Sequence, residues 1–344
     1  MGKVAVLGAG AWGTALGRLL AEKGDEVALW ARRADLAEHI QEGRVNTRYL
    51  PGAPLPDTMS ATSDLAAALD GSSMVLFVAP SHATRQVARD AAPFLPRDAV
   101  IVSATKGIEN ESLMFMDEVL RDELRGHDER VAFLSGPSFA KELAAHLPTA
   151  VVIACRHGAV CTEVMRRFHT SYLRLYASDD VAGVECGGAL KNVIAIAAGA
   201  IDGLGLGHNT RAALITRGLA EVARLSLARG GSALTLAGLA GMGDLVLTCT
   251  GELSRNRTVG MELGKGRSLA DVLAGLGHVA EGVKTTKSAY DLSERLKVDM
   301  PITREIYNIL YEEKPLERAI VDLMARELGP EFDHLPSPLG AGRA

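Results

Sequence analysis

At 344 residues the chain is long enough for two domains, each with its own core. Hydrophobic residues make up 47% and charged residues 23%, which excludes a disordered or fibrous chain. The net charge of -5 gives no support to nucleic-acid binding, and aromatics at 4% leave the core to Ala, Val, Leu and Ile.

Val4-Ala5-Val6-Leu7 reads as a buried strand. Gly8-Ala9-Gly10-Ala11-Trp12-Gly13 follows it directly and opens a helical periodicity from Thr14 to Lys23 that stops at Gly24. A strand that turns through three glycines into a helix suits the pyrophosphate of a dinucleotide. Gly8 permits the turn, Gly10 lets the backbone approach the phosphates, Gly13 lets helix and strand pack, and the first-turn N–H groups face the anion. Glu26–Trp30 is a second short strand. Its tip offers no carboxylate for ribose hydroxyls; it reads Arg32-Arg33, with Asp35 two residues on. Two guanidiniums suit a ribose 2′-phosphate, which favours NADP over NAD; a solvated basic pair is the alternative.

The apolar runs Met74–Ala79, Ala99–Ser103, Val131–Leu134, Ala150–Ala154 and Leu173–Tyr176 alternate with helical segments. That alternation predicts an α/β fold with a mostly parallel, doubly wound Rossmann-type sheet. Three strand ends carry polar groups: Pro80-Ser81-His82, Thr105-Lys106-Gly107, and Ser135-Gly136-Pro137-Ser138 before a helix containing Lys141. Ligands of such sheets bind beyond the carboxyl ends of the strands, where Lys106 would project, although position alone fits a surface lysine equally well. His82 fits a general acid less readily than a helix cap.

From about Asp179 strand-like runs vanish. Val181–Ile201, Thr210–Arg229, Leu269–Leu273, Thr285–Leu296 and Ile302–Tyr311 carry helical periodicity, so an all-helical C-terminal domain is expected. The expected division is a dinucleotide-binding domain over 1–178, a helical substrate and catalytic domain over 179–329, and a flexible tail over 330–344. The run Val193–Ile201 is too short to span a bilayer. Gly203-Leu204-Gly205-Leu206-Gly207 follows a helix, so a turn leading to an Asn209 cap is expected instead of a phosphate loop. Cys155, Cys161, Cys186 and Cys249 form no metal or redox spacing and are expected to be reduced and buried, in a cytoplasmic protein. The strand so near the start of the chain argues against a signal peptide.

Lys191 lies in Glu185-Cys186-Gly187-Gly188-Ala189-Leu190-Lys191-Asn192, before an almost uncharged helical run. Gly187, Gly188, Ala195 and Ala198 share its helix face, so another body can approach its amine closely, and burial would tune it for proton transfer. A snorkelling lysine beside a tight helix contact fits the same pattern. Asp244, between a glycine turn and an apolar run, is either a lysine partner or a helix cap. Ser254-Arg255-Asn256-Arg257 opens a helix with Ser254 as N-cap, which is either a small phosphate site or an ordinary cap.

Together GAGAWGTAL at 8–16, ATKGIE at 104–109, SGPSFAKELA at 135–144, ECGGALKNVIAIAAG at 185–199, GLAGMGDLVLTCTGELSRNR at 238–257 and VAEGVKTTK at 279–287 resemble the bacterial NAD(P)-dependent glycerol-3-phosphate dehydrogenases. The resemblance runs from the first strand to about Tyr311. It implies that Lys191 is the proton donor and acceptor, Asp244 its partner, and Lys106 a lysine close to both cofactor and substrate. Gly136 and Ser138 match the substrate-binding turn, and Ser254, Arg255 and Asn256 the phosphate-binding triplet, with Arg255 also reaching the cofactor. Alongside Gly8, Gly10, Gly13 and Lys106, the residues Ala11, Trp12, Arg32, Arg33, Tyr49, Ala140, Val279 and Glu281 fall on cofactor-binding positions. The family often has Ser where Ala11 stands. The implied substrates are dihydroxyacetone phosphate and glycerol 3-phosphate, with NADP or NAD, no metal, no membrane insertion, a role in glycerophospholipid synthesis, and a homodimer. Two other readings share parts of this pattern. A reductase of a 2-keto or 3-hydroxy acid has no need of the phosphate triplet, and a nucleotide sensor has no need of a proton donor.

Overall fold

The computed structural model describes residues 2–276, 280–327 and 331; Val279 and, apart from Glu331, the expected tail at 330–344 lie outside the described residues. Eight strands form one sheet: β1 (Lys3–Leu7), β2 (Glu26–Trp30), β3 (Met59–Thr62), β4 (Ser72–Phe77), β5 (Val100–Ser103), β6 (Val131–Ser135), β7 (Thr149–Ala154) and β8 (Leu173–Ser178), in the order β3-β2-β1-β4-β5-β6-β7-β8. The order turns back at β1 and β4, the switch point at which open α/β sheets hold their ligands. Both faces are buried. Val4 and Val6 pack into one layer of the core, while Ala5 and Leu7 pack into the other. This two-sided burial is why the strands read as continuous apolar runs.

β3 went unread in the sequence. Met-Ser-Ala-Thr has little β-forming character, and this edge strand alternates between buried and exposed. All neighbours pair in parallel except β6 and β7, which are antiparallel, with Phe133 opposite Ala154. That reversal sets the geometry of everything downstream. β8 runs parallel to β7, so the chain leaves Ser178 at the sheet edge opposite the glycine loop. The long helix Val181–Gly203 then rises roughly 15 Å over its first ten residues, back toward the ends of β5 and β6.

This long helix has 23 residues and is apolar enough to cross a membrane, but 89% of its most apolar window is buried inside the protein. The run Val193–Ile201 is therefore the middle of a longer core helix, and its apolarity follows from the helices packed around it. Helix Arg255–Gly264 crosses it at unusually short range. A Cβ on Gly199 would lie 1.9 Å from the Arg257 carbonyl oxygen, and one on Gly260 would lie 1.8 Å from that of Ile196. No side chain fits between these backbones, so the start of the crossing helix is held at a fixed place beside the long helix.

Several helix limits differ from the expectations. The first helix spans Ala11–Glu22, because Gly10 serves as its N-cap and Gly13 lies inside it. Helix Gly207–Ala228 starts at the glycine turn, so Asn209 sits within its first turn and is not the cap. Glu281–Leu296 begins four residues before the expected Thr285, which makes Glu281 its first residue. Leu316–Met324 is a further helix, on the short period Leu316-Ala319-Ile320-Leu323.

Alanine at 260 would place a methyl group on a backbone oxygen, an overpacking that costs about 3 kcal/mol. Gly260→Ala is therefore expected to lower the thermal midpoint by roughly 4 °C for a chain of this size, read by calorimetry. A midpoint within about one degree of wild type would contradict the close packing.

Candidate active site

The parallel strands β1 to β6 deliver the loops that follow them to one edge of the sheet. At the first, Gly8 adopts φ +133° with its α-carbon face against the Val78 carbonyl, and a Cβ on Gly13 would lie 2.0 Å from the Gly8 carbonyl oxygen. Gly10 differs: nothing lies within 4 Å of a Cβ built there, so its face is open. Gly10 gives helix Ala11–Glu22 no side-chain cap, and the first-turn N–H groups of Ala11, Trp12 and Gly13 point into that opening. The indole Nε1 of Trp12 is buried with no protein partner among the described residues. These features fit an anionic dinucleotide on the backbone amides, with Ala11 supplying an N–H where a hydroxyl is absent.

Sequence reasoning missed the residue that fixes this loop. Asn46, fully buried, donates from Nδ2 to the Ala9 carbonyl (2.9 Å) and to the Thr14 hydroxyl (2.8 Å), and its Oδ1 accepts from the Tyr49 N–H (3.2 Å). It thereby ties Tyr49, which lies under the Arg48 guanidinium, to the glycine loop. No local motif marks Asn46; only its buried setting reveals it.

Arg32 and Arg33 are both exposed at the tip of β2. Asp35 engages Arg33, with Nε to Oδ1 at 2.9 Å, so the two guanidiniums are not equivalent. Exposed His82 stands near Lys284 and Arg32; partial burial, then these two charges, hold its imidazole below the ordinary value. It takes no part in the lysine cluster described next.

Lys106, just past β5, and Lys191, on the long helix, meet at one carboxylate. Asp244 Oδ2 accepts from the Lys106 ammonium (2.5 Å) and Oδ1 from the Lys191 ammonium (2.7 Å). Asp244 is 1% exposed, so this is a buried bridge between a strand end and two helices. It is the first residue of helix Asp244–Thr250 but caps nothing with its side chain. Lys191 also donates to the Thr248 hydroxyl (2.9 Å), one turn on from Asp244, a partner that sequence reasoning missed. Lys106 donates further to the Gly136 carbonyl (3.2 Å), which also accepts from the Ser138 hydroxyl (3.0 Å). The turn Gly136–Ser138 is thus joined directly to the lysine cluster, and Ala140 begins the short helix that follows it.

The small residues beside Lys191 have a clear task. A Cβ on Gly187 would lie 2.3 Å from the Ala240 carbonyl oxygen, and one on Gly188 would lie 2.8 Å from the Ser135 Oγ and 3.5 Å from the Lys106 stem. They let the π-turn Leu239–Gly243, which carries Asp244, and the Lys106 stem close onto the long helix.

The charge balance follows from burial and contact. Burial pushes the Lys106 amine down to about 8, against the upward pull of Asp244, and the Lys191 charge lowers it further. Burial alone would raise the Asp244 carboxyl, but the Lys106 and Lys191 ammoniums hold it below the ordinary value. Glu281 is raised by burial, while Arg255, Lys191 and Lys106 pull it the other way. One carboxyl thus feels both lysines and the arginine at the start of the crossing helix.

Ser254 is the N-cap of that helix, accepting from the Arg257 N–H (3.3 Å). Arg255 is exposed, and Asn256 is buried with Oδ1 accepting from the Gly282 N–H (3.0 Å). Arg257 is occupied elsewhere, paired with Asp202 at 2.7 Å. Among the described residues no cluster of His, Cys, Asp and Glu side chains could hold a metal ion.

Sequence comparison matches residues 3–161 to the N-terminal part of the NAD-dependent glycerol-3-phosphate dehydrogenases and residues 180–321 to their C-terminal part. The chain belongs to that family. Among relatives named glycerol-3-phosphate dehydrogenase [NAD(P)+], the protein from Geobacter sp. (strain M21) is 54% identical over 330 residues, covering 96% of this chain and 98% of its own. That from Myxococcus xanthus is 53% identical over 323 residues, covering 94% and 96%. The crystal structure of glycerol-3-phosphate dehydrogenase from Coxiella burnetii superposes with a TM-score of 0.91 at 42% identity, covering 94% of this chain and 99% of that one. A ketopantoate reductase from Ralstonia eutropha, at 22% identity and a TM-score of 0.58, shares the fold alone. Lys106 lies in the first matched part, and Lys191, Asp244 and the capped Arg255 helix lie in the second.

Asp244→Asn removes the anion that faces both amines. Lys106, already at about 8, is expected to lose its proton at still lower pH, read by pH-dependent amine labelling with mass spectrometry. A Lys106 titration unchanged by the substitution would contradict the bridge.

Proposed function

We propose that this glycerol-3-phosphate dehydrogenase reduces dihydroxyacetone phosphate to sn-glycerol 3-phosphate with NADPH or NADH, and runs the reverse reaction, with Lys191 donating and accepting the proton. The observation that carries this reading is the Asp244 carboxylate held between the Lys106 and Lys191 ammoniums. We assign nucleotide binding to residues 1–178, and substrate binding and catalysis to 179–329.

The nicotinamide cofactor, when bound, supplies and takes back the hydride. The residues that would hold it are the amides following Gly8, Gly10 and Gly13, with Ala11, Trp12, Arg32, Tyr49, Ala140, Arg255 and Glu281 around them. Arg33 is kept by Asp35, which leaves Arg32 as the stronger contact for a 2′-phosphate. That supports a preference for NADP.

The substrate phosphate binds at the start of helix Arg255–Gly264. Arg255 forks onto its oxygens, the helix N-terminus adds partial positive charge, and Ser254 and Asn256 line the approach. Remote binding energy then positions the small reacting end against Lys191, with Gly136 and Ser138 along the other side. As negative charge develops on the carbonyl oxygen, the Lys191 ammonium donates a proton to it. Asp244 orients that amine and balances its charge, and Lys106 adds a second positive group next to the developing oxyanion. In oxidation the neutral amine removes the hydroxyl proton.

The product is the backbone of glycerophospholipids, and we assign the enzyme to their synthesis. A cytoplasmic homodimer is the form in which we expect it.

Lys191→Ala is expected to lower kcat by roughly 10²- to 10⁴-fold in steady-state assays with dihydroxyacetone phosphate; near-normal kcat would remove Lys191 from the mechanism. Reduction is expected to slow as pH rises past about 8, where Lys106 discharges, so a profile flat to pH 9 would argue against a role for its charge. Arg32→Ala is expected to cut kcat/KM for NADPH by about 10- to 100-fold and to spare NADH, since a charged hydrogen-bond partner is lost for one cofactor only. Equal losses for both would place the 2′-phosphate elsewhere.

A further inference from the structure

Beside Lys106 lies a small, partly enclosed cavity lined by Ser103, Lys106, Phe133, Glu185 and Gly188 among others. It gives a water-sized sphere about 10 Å³ of room, close to what a single internal water needs. Ser103 and Ser135 end the adjacent strands β5 and β6; they are 1% and 4% exposed, and among the described residues neither hydroxyl has a protein partner. Ser103 lines the cavity, and Ser135 borders it beside Gly188. Buried hydroxyls are normally satisfied, so two of them at one small polar cavity point to a ligand that can donate and accept there.

Glu185 closes the far wall. Its Oε1 accepts from the Asp117 N–H (3.0 Å), and among the described residues Oε2 has no protein partner. Burial pushes this carboxyl well above its ordinary value. The Asp117 charge adds to that shift against the pull of the Asp117 N–H, and Glu118 raises it further against Arg229. Asp117 itself is held by Arg156 (2.7 Å), and Glu118 by Arg229 (2.6 Å). Burial and the neighbouring carboxylates thus favour the acid form of Glu185 more than for an ordinary carboxyl, on the same cavity as a lysine at about 8.

We propose that Glu185, one internal water and the Ser103 hydroxyl form a proton path to Lys106, which recharges the catalytic amine through Asp244. The proposal rests on Lys191 being the proton donor. Each reduction consumes one proton, and bound cofactor and substrate cover the front of the cluster. Once Lys191 has given its proton to the product hydroxyl, the Lys106 ammonium gives a proton to Asp244, and Asp244 passes it to the neutral Lys191 amine. The neutral Lys106 amine then takes a proton from the water held by the Ser103 hydroxyl, and the water takes the proton of the Glu185 carboxylic acid. Glu185, now a carboxylate, is reprotonated from solvent before the next turnover. In oxidation the same path runs outward. Glu185 is a positioning and relay residue here, since it touches neither substrate nor cofactor.

The test uses the full-length enzyme and its solvent isotope effect. Glu185→Gln retains the acceptor for the Asp117 N–H but cannot give up a proton. Its kcat for dihydroxyacetone phosphate reduction is expected to fall about tenfold, less than the roughly 100-fold or more lost with a direct proton donor, with both KM values within about twofold of wild type. The D2O effect on kcat should rise, and the alkaline limb of the kcat profile should move to lower pH. Ser103→Ala, which removes only an unpartnered hydroxyl, should raise the D2O effect in the same direction if Glu185→Gln proves too unstable to assay. Wild-type kcat, D2O effect and pH profile in a folded Glu185→Gln enzyme would overturn the relay, as would a change confined to KM. A near-normal Lys191→Ala enzyme would instead remove the donor on which the relay rests, whatever Glu185→Gln does.

Discussion

One buried carboxylate holds the active site together. Two ammoniums brought close together repel each other, and burial alone makes each charge costly. Asp244 resolves both problems by presenting one oxygen to Lys106 and the other to Lys191. Lys106 comes from a strand end of the sheet and Lys191 from the long helix behind it, so the carboxylate also joins the two structural layers. Without it the pair would discharge or separate, and the amine could not stay charged against a developing oxyanion.

The bridge is possible because of backbone decisions far from the chemistry. The antiparallel step between β6 and β7 sends the chain out at the opposite end of the sheet, so the long helix must travel back and delivers Lys191 to the edge where Lys106 emerges. Gly187 and Gly188 let the Asp244 turn and the Lys106 stem approach that helix. Gly199 and Gly260 then lock a second helix across it and fix the Ser254–Asn256 turn relative to the amines. Glycine here supplies proximity, and proximity sets the size of molecule that can span from amine to arginine.

Much of this was legible in the sequence, for identifiable reasons. Buried strands write themselves as apolar runs, which is why β1, β2 and β4 to β7 could be read; β8, at the other edge, was read from Leu173, Leu175 and Tyr176 despite the exposed Arg174. β3 lies at the edge, and its four residues alternate Met59 and Ala61 with Ser60 and Thr62, so it left no such trace. The glycine loop was readable because strand, glycines and helix follow one another locally. The lysine cluster was only half readable. Lys191 among small residues and Asp244 after a glycine turn are each ambiguous alone, and it takes the tertiary contact to distinguish a bridge from a cap. Asn46 and Thr248 left no local signal, since the contacts that tie them to the site reach partners 32 or more and 57 residues away in the chain. The resemblance to the dehydrogenase family drew the scattered motifs together before their geometry was in view.

A crystal structure of the ternary complex with NADP and glycerol 3-phosphate tests this account most directly. The account predicts the C2 hydroxyl within hydrogen-bond reach of the Lys191 ammonium, the phosphate on Arg255 and the helix start, and Asp244 still bridging the two lysines. A phosphate seated away from residues 254–256, or a C2 oxygen served by another group with Lys191 turned aside, would contradict it.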